Sequence, residues 1–240
     1  MFSTTKPCVG ILEAGPSSSD MLEEHGSFGS WFVRFFSKNS GNFSFRIFKA
    51  YDNELPKFSK ECDAYVVTGS HFSILDDTRW MRKLQFFLSD TSKKQPVIGI
   101  CFGHQLLHHA LGGRVVRAAN GWGVGVHKYS VIKKVDWMQT QKTSIELCVS
   151  HSDQVVVAAP NTKLIAKSDF CPNAMTTIGK NILTLQAHPE MTKNFAAELY
   201  NKRRSQLGDE QVEVALRSLN RVTDENIVSQ WINNFICDRL

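Results

Sequence analysis

Cys101 stands between two glycines in the run Val97-Ile98-Gly99-Ile100-Cys101-Phe102-Gly103-His104-Gln105. Apolar strand character ends there, and a helical pattern that continues through 106–111 begins. A sharp strand-to-helix turn lifts its central side chain above the carboxyl edge of a sheet, and small neighbours let the backbone bend. At a helix N-terminus the dipole favours thiolate over thiol, so this cysteine is placed for nucleophilic attack. Such a nucleophile needs a base. Downstream, the apolar run 182–186 leads into Ala187-His188-Pro189-Glu190. Residues i and i+2 on extended backbone point to one side, so the His188 imidazole and the Glu190 carboxylate are expected to meet. Pro189 holds its neighbours out of the helical region. The carboxylate would fix the ring's tautomer and leave the other nitrogen to take a thiol proton.

Each signal has an ordinary structural counterpart. Free cysteines are commonly buried without function, and His-Pro-Glu at a strand end is weak by itself. The coupling of elbow and pair carries the reading. Two other motifs lead elsewhere. His104 and His108 lie one helical turn apart with His109 beside them, but no His-Glu-x-x-His accompanies them, and no metal site is expected. Gly121-Trp122-Gly123-Val124-Gly125 lacks the spacing of a dinucleotide loop and precedes a strand, so close-packed hairpin glycines are the better account.

The elements that must position these residues follow from periodicity. Strands are expected at 8–12, 43–48, 64–67 and 97–100, with helical spacing at 21–36 and 80–88. Strand and helix in alternation imply an α/β fold: an open, mostly parallel sheet with helices on both faces. Short-spaced strands at 115, 124–131, 147–149, 155–158, 164–166 and 182–185 suggest hairpins, making the sheet mixed. From 192 to 240 the pattern is helical, as two or three helices, broken at Gly208-Asp209 and with a cap at Thr223-Asp224. Its apolar faces (Phe195, Leu199, Val212, Leu216, Leu219, Ile227, Trp231, Phe235) must be buried, against this sheet or against a docking partner. The expected organisation is one domain over 1–240, with a core of about 8–191 and a helical C-terminal extension over 192–240.

Composition is that of an ordinary globular chain: 240 residues, 42% hydrophobic, 21% charged, net charge +5. The basic residues are scattered. The densest run, Lys202-Arg203-Arg204, reads as a solvated helix face, and no nucleic-acid partner is expected. No stretch approaches a membrane span, and the N-terminus lacks the apolar core of a signal peptide. The six cysteines include no CxxC pair, and a cytoplasmic setting with reduced thiols is the expectation.

Gly-Ile-Cys-Phe-Gly-His-Gln together with Gln-Ala-His-Pro-Glu closely resembles the class I glutamine amidotransferases over about residues 8–191. The resemblance implies a flavodoxin-like sheet and a catalytic triad of Cys101, His188 and Glu190. It implies an oxyanion site at the Ser70 and Phe102 amides, in the loop Val67-Thr68-Gly69-Ser70-His71 and at the elbow. The family pattern has a second glycine where Ser70 stands. Gly69, Gln105 and Ser150-His151-Ser152-Asp153 correspond to substrate-holding positions, with Ser150, His151 and Asp153 at the amino-acid end. The implied reaction is hydrolysis of a γ-glutamyl amide through a thioester, with a small-molecule γ-glutamyl substrate and no cofactor. The chain carries no P-loop signature and no second catalytic domain of a complete synthetase. Three roles stay open: a self-sufficient γ-glutamyl hydrolase, a glutaminase subunit serving a separate synthetase partner, and an inactive regulatory module. The intact triad argues against the last.

Overall fold

The computed structural model describes residues 6–38 and 42–240; residues 1–5, which belong to the segment read for a signal peptide, lie outside the described residues. In chain order the elements are β1 (Cys8–Glu13), α1 (Ser19–His25), α2 (Phe28–Lys38), β2 (Ser44–Lys49), β3 (Ala64–Val67), α3 (Arg79–Thr91), β4 (Val97–Ile100) and α4 (Phe102–Ala110). They continue as β5 (Arg114–Arg117), β6 (Gly123–Val131), β7 (Ser144–His151), β8 (Asp153–Val157), β9 (Thr162–Lys167), β10 (Met175–Ile178) and β11 (Ile182–Leu185). The chain ends in α5 (Lys193–Lys202), α6 (Arg204–Leu207), α7 (Asp209–Ser218) and α8 (Glu225–Cys237).

Nine strands form one mixed sheet in the order β2-β1-β3-β4-β11-β10-β9-β6-β7, and β5 and β8 pair separately. From β2 to β11 every pairing is parallel, and from β10 to β7 every pairing is antiparallel. The central strands β3, β4 and β11 are buried at every position, as a sheet covered on both faces requires. On one face α2 and α8 bring Phe32, Phe36, Trp231 and Phe235 onto Val9, Ile11, Ile98 and Leu183. On the other, α3 and α4 bring Met81, Leu84 and Leu106 onto Leu12, Tyr65 and Val67. The C-terminal helices pack back on this chain: Tyr200, Val212 and Ala215 lie against Val124 and Val126 of β6.

Several elements differ from the sequence reading. The helical pattern at 21–36 is two helices, because Gly26 at φ +82° ends α1. Strand β10 went unread. Its Met-Thr-Thr-Ile lacks a long apolar run, and pairing between β9 and β11 buries it all the same. The tail holds four helices rather than two or three, with the expected break at Gly208, φ +84°. Asp224 precedes α8 without capping it; its carboxylate accepts from the Glu146 amide at 2.9 Å and pairs with Lys142. Among the described residues, no helix is long and apolar enough to cross a membrane.

The topology has one consequence for chemistry. Parallel β3, β4 and β11 are neighbours, so the loops leaving their carboxyl ends share one edge of the sheet. Those loops carry Gly69, Cys101 and His188.

Candidate active site

Cys101 sits ahead of α4 with φ +50° and ψ −99°, a conformation that costs a non-glycine residue about 1–3 kcal/mol. Two hydrogen bonds hold it there: its amide donates to the Leu185 carbonyl at 2.8 Å, and its carbonyl accepts from the Gln105 amide at 3.0 Å. The flanking glycines serve a different end from the one expected. Neither has positive φ. A Cβ on Gly103 would lie 2.5 Å from the Val67 carbonyl oxygen, and one on Gly99 2.6 Å from that of Gly103. The glycines let strand, helix and neighbouring strand close up; the cysteine itself makes the bend.

His188 donates its amide to the Cys148 carbonyl at 2.9 Å, a single bridge beyond the end of β11. Pro189 and Glu190 then form a turn, so the extended i, i+2 argument fails here. The contact it predicted is present by another route: Glu190 Oε1 lies 2.7 Å from His188 Nδ1, with both side chains buried. Cys101 borders the same Gly69 position as the ring, and its sulfur favours the ring's charged form. Burial alone would push the imidazole pKa down, but Glu190 and Cys101 outweigh it and hold the ring protonated to about 10. A cationic imidazole between a carboxylate and a sulfur can stabilise a thiolate and later release a proton to a departing amine.

Gly69 belongs to the same cluster for a steric reason. A Cβ there would fall 2.6 Å from His188 Cε1 and 3.7 Å from Cys101 Cβ. Gly69→Ala is therefore expected to displace the imidazole and lower kcat by about 100-fold, with about 1–3 kcal/mol lost from stability. Steady-state kinetics beside a denaturant titration checks this, and an unchanged kcat would refute the packing argument.

Ser70 replaces the second glycine of the family pattern without positive φ. Its hydroxyl donates to the Ala14 carbonyl at 2.8 Å and accepts from the Phe72 amide at 3.0 Å. The side chain thus ties the loop down. Among the described residues, neither the Ser70 nor the Phe102 amide donates to a backbone carbonyl; Phe102, as the first residue of α4, has none within reach in its own helix. Two unengaged amides lining one chamber with Cys101 could receive an oxyanion.

Of the expected substrate-holding residues, Gln105, Ser150, His151 and Asp153 line a polar chamber of about 310 Å³ together with Cys101, whereas Gly69 lines the neighbouring cavity instead. Their side chains are partly committed to one another. Gln105 donates to the Asp153 carbonyl at 2.9 Å and to Gln186 Oε1 at 3.2 Å. His151 Nδ1 donates to the Asp153 carbonyl at 3.1 Å, and burial pushes its pKa down to about 3, so the ring is neutral. The Asp153 carboxylate accepts from Ser73 Oγ at 2.5 Å and lies 3.2 Å from Arg117 Nε. An acid and a guanidinium side by side can receive the ammonium and carboxylate of an amino acid.

With that geometry in hand, the chain matches the family model "Glutamine amidotransferase class-I" over residues 44–203, more than half its length. The chain belongs to the class I glutamine amidotransferase family. Among curated relatives, it is 29% identical over 202 residues to gamma-glutamyl peptidase 4 of Arabidopsis thaliana, covering 80% of this chain and 79% of that one. It is 23% identical over 218 residues to a glutamine-hydrolyzing GMP synthase of Bacteroides fragilis, covering 76% of this chain and 42% of that protein. Among solved structures, a glutamine amidotransferase from Thermotoga maritima superposes with a TM-score of 0.73 at 17% identity, over 97% of this chain and 96% of the other. The last likeness bears out the fold.

Besides Arg117, two residues of this amidotransferase chain escaped the sequence reading. Gln186 donates toward Cys101 Sγ at 3.5 Å, a neutral donor on the sulfur that its place two residues before His188 could have signalled. Arg203 corrects the reading of Lys202-Arg203-Arg204 as a solvated face. Lys202 and Arg204 do form surface ion pairs. Arg203 instead turns inward at the α5–α6 junction, donates to Ser150 Oγ at 2.8 Å, lies 5.1 Å from the Trp122 ring centre and lines the polar chamber. No periodicity distinguishes it from its neighbours.

His104 and His108 bond Thr184 and Thr176 at 2.8 and 3.0 Å in the buried interior, and burial pushes both pKa values down. Gly123 and Gly125 are close-packed, against Phe170 and Ala215 respectively, but Gly121 is not: it has open space around it and serves the turn through its φ of +77°. Among the described residues, metal-ligand types meet at Glu24, His25 and Glu198. There Lys202 already neutralises Glu198 at 2.6 Å.

Proposed function

We propose that this chain hydrolyses γ-glutamyl amides through a thioester on Cys101. The observation that carries the reading is the buried His188 ring, bonded to the Glu190 carboxylate at 2.7 Å and packed with Cys101 around Gly69. The thiolate attacks the γ-carbonyl carbon, and the carbonyl π electrons move to oxygen, where the Ser70 and Phe102 amides receive the charge. The tetrahedral adduct collapses with cleavage of the C–N bond, and His188 gives its proton to the departing nitrogen. Water then attacks the thioester while His188 takes a proton from it. The C–S bond breaks, leaving glutamate and the starting thiolate with its imidazolium. Asp153, Ser150, His151 and Gln105 would shape the glutamyl end. On this reading the core of 8–191 and the extension 192–240 work as one unit, because Arg203 of the extension reaches the chamber.

The test is turnover by the purified chain. A γ-glutamyl amide or peptide is expected to yield glutamate and free amine at about 1 per second or faster. Acid-quenched protein should carry one glutamyl adduct, mapping to Cys101. Absence of turnover on every γ-glutamyl amide, or an adduct on another cysteine, would sink the reading. The GMP synthase relative supports a second reading, a glutaminase subunit that passes ammonia to a separate synthetase. That one requires weak turnover alone and stimulation when the synthetase is added.

A further inference from the structure

The sheet edge carrying Cys101 opens on two chambers of opposite character. Beside the polar one lies a second of about 430 Å³, walled by Met21, Phe28, Trp31, Met191, Phe195 and Leu199. The two chambers share Ser70, His71, Ser150 and Arg203, so they adjoin at the reacting centre. The proposed triad is divided between them. Cys101, Gln105 and Asp153 face the polar chamber, whereas His188 and Glu190 face the apolar one.

The apolar walls are braced rather than loose. Trp31 meets Phe195 edge-on at 4.2 Å and Phe28 at 5.0 Å between ring centres. Its indole nitrogen donates to the His25 carbonyl at 2.9 Å. Thr192 caps α5 by accepting from the Phe195 amide at 3.3 Å. A preformed apolar cavity of this volume is what small-molecule groups occupy.

Amide cleavage at Cys101 divides a substrate in two. The glutamyl part, with its ammonium and carboxylate, needs the polar side. The amine must depart toward the imidazole that protonates it, and that imidazole faces the apolar side. Ammonia leaving from glutamine would fill almost none of this space and cover none of its aromatic surface. We propose that the apolar chamber binds the amine portion of the substrate, so that the chain prefers γ-glutamyl amides and peptides bearing a bulky apolar amine and uses glutamine poorly. This rests on the hydrolase reading above and adds its substrate class.

Each methylene buried in such a chamber is worth about a four-fold gain, and a phenethyl group is expected to gain on the order of 100-fold. The experiment compares kcat/KM for glutamine with that for γ-glutamyl methylamide, butylamide and phenethylamide, whose amines are similarly basic. A rise along the series, reaching about 100-fold over glutamine for the phenethylamide, is the expected result. Flat or falling values would overturn the chamber assignment, as would a preference for glutamine that appears only when a synthetase is added. Silence on all four substrates would instead sink the hydrolase reading itself. Leu199→Asp places a charge on the chamber wall, and its phenethylamide-to-glutamine ratio, taken within one preparation, should fall about ten-fold or more. An unchanged ratio in folded protein also overturns the assignment, and if the variant does not fold, the series on the natural chain decides.

Discussion

Cys101→Ala is expected to lower kcat/KM by about four to six orders of magnitude, equivalent to about 5–8 kcal/mol of transition-state stabilisation. The loss is large because no neighbour can replace the sulfur. Gln186 is a neutral amide, and Cys171, a neighbour in the same core, is buried with its thiol pushed up to about 12. The fold should survive. The side chain removed is small, and the backbone bonds to Leu185 and Gln105 stay in place. A glutamine-like electrophile should mark Cys101 ahead of Cys62, Cys148, Cys171 and Cys237: burial pushes Cys62 and Cys148 up to about 12 as well and raises Cys237, which leaves little thiolate at neutral pH. Rate measurements on the variant and peptide mapping of the label test both halves. Retained activity, or label spread over Cys62 and Cys148, contradicts the assignment.

The second large effect separates the members of the buried pair. His188→Ala should cost about four to six orders of magnitude in kcat, because the imidazole moves the proton at both stages. Glu190→Gln should cost about two to four, because the carboxylate orients the ring and supports its charge without transferring anything. The pH profile carries a further sign. His188 is held protonated well above its ordinary 6.5, to about 10, by Glu190 and Cys101 against the opposing pull of burial. Its contribution to stability is therefore fully present below about 6.5 and is lost as pH rises through about 10. Activity that depends on the imidazolium as acid should fall over the same upper limb. Removing the Glu190 charge should move that limb to lower pH, and a profile that stays put would show that the carboxylate does not support the ring. Should Glu190→Gln prove the more damaging change, the assigned roles are reversed.

The central fold and the candidate triad were legible because each is written in contiguous residues. Val97-Ile98-Gly99-Ile100 before Cys101 states a buried strand entering a helix, and Gln-Ala-His-Pro-Glu sets the proposed base and its carboxylate within three positions. Burial on both faces of a parallel sheet demands continuous apolar runs, so β3 and β4 announced themselves; 182–185 read as a hairpin strand, and only the fold pairs β11 in parallel with β4 as well as antiparallel with β10. The apolar spacing of 192–240 likewise required a covering surface, and Trp231 and Phe235 find it on α2's face of the sheet.

Other features depend on what lies across the fold. Strand β10 exists because β9 and β11 take up its hydrogen bonds, which no local propensity of Met-Thr-Thr-Ile declares. Gly69 must be glycine because His188 packs on it from a distant part of the chain. Ser70 fits where a glycine was expected because Ala14 and Phe72 give its hydroxyl partners. Within Lys202-Arg203-Arg204, only the turn between α5 and α6 decides which cation faces inward. The apolar chamber is assembled from α1, α2 and α5 with the turn after β11. Local pattern thus determined most elements and the candidate reacting groups, since those depend on neighbours in sequence. Long-range packing decided the walls around them, because a cavity is defined by the segments that meet there and is encoded in none of them alone.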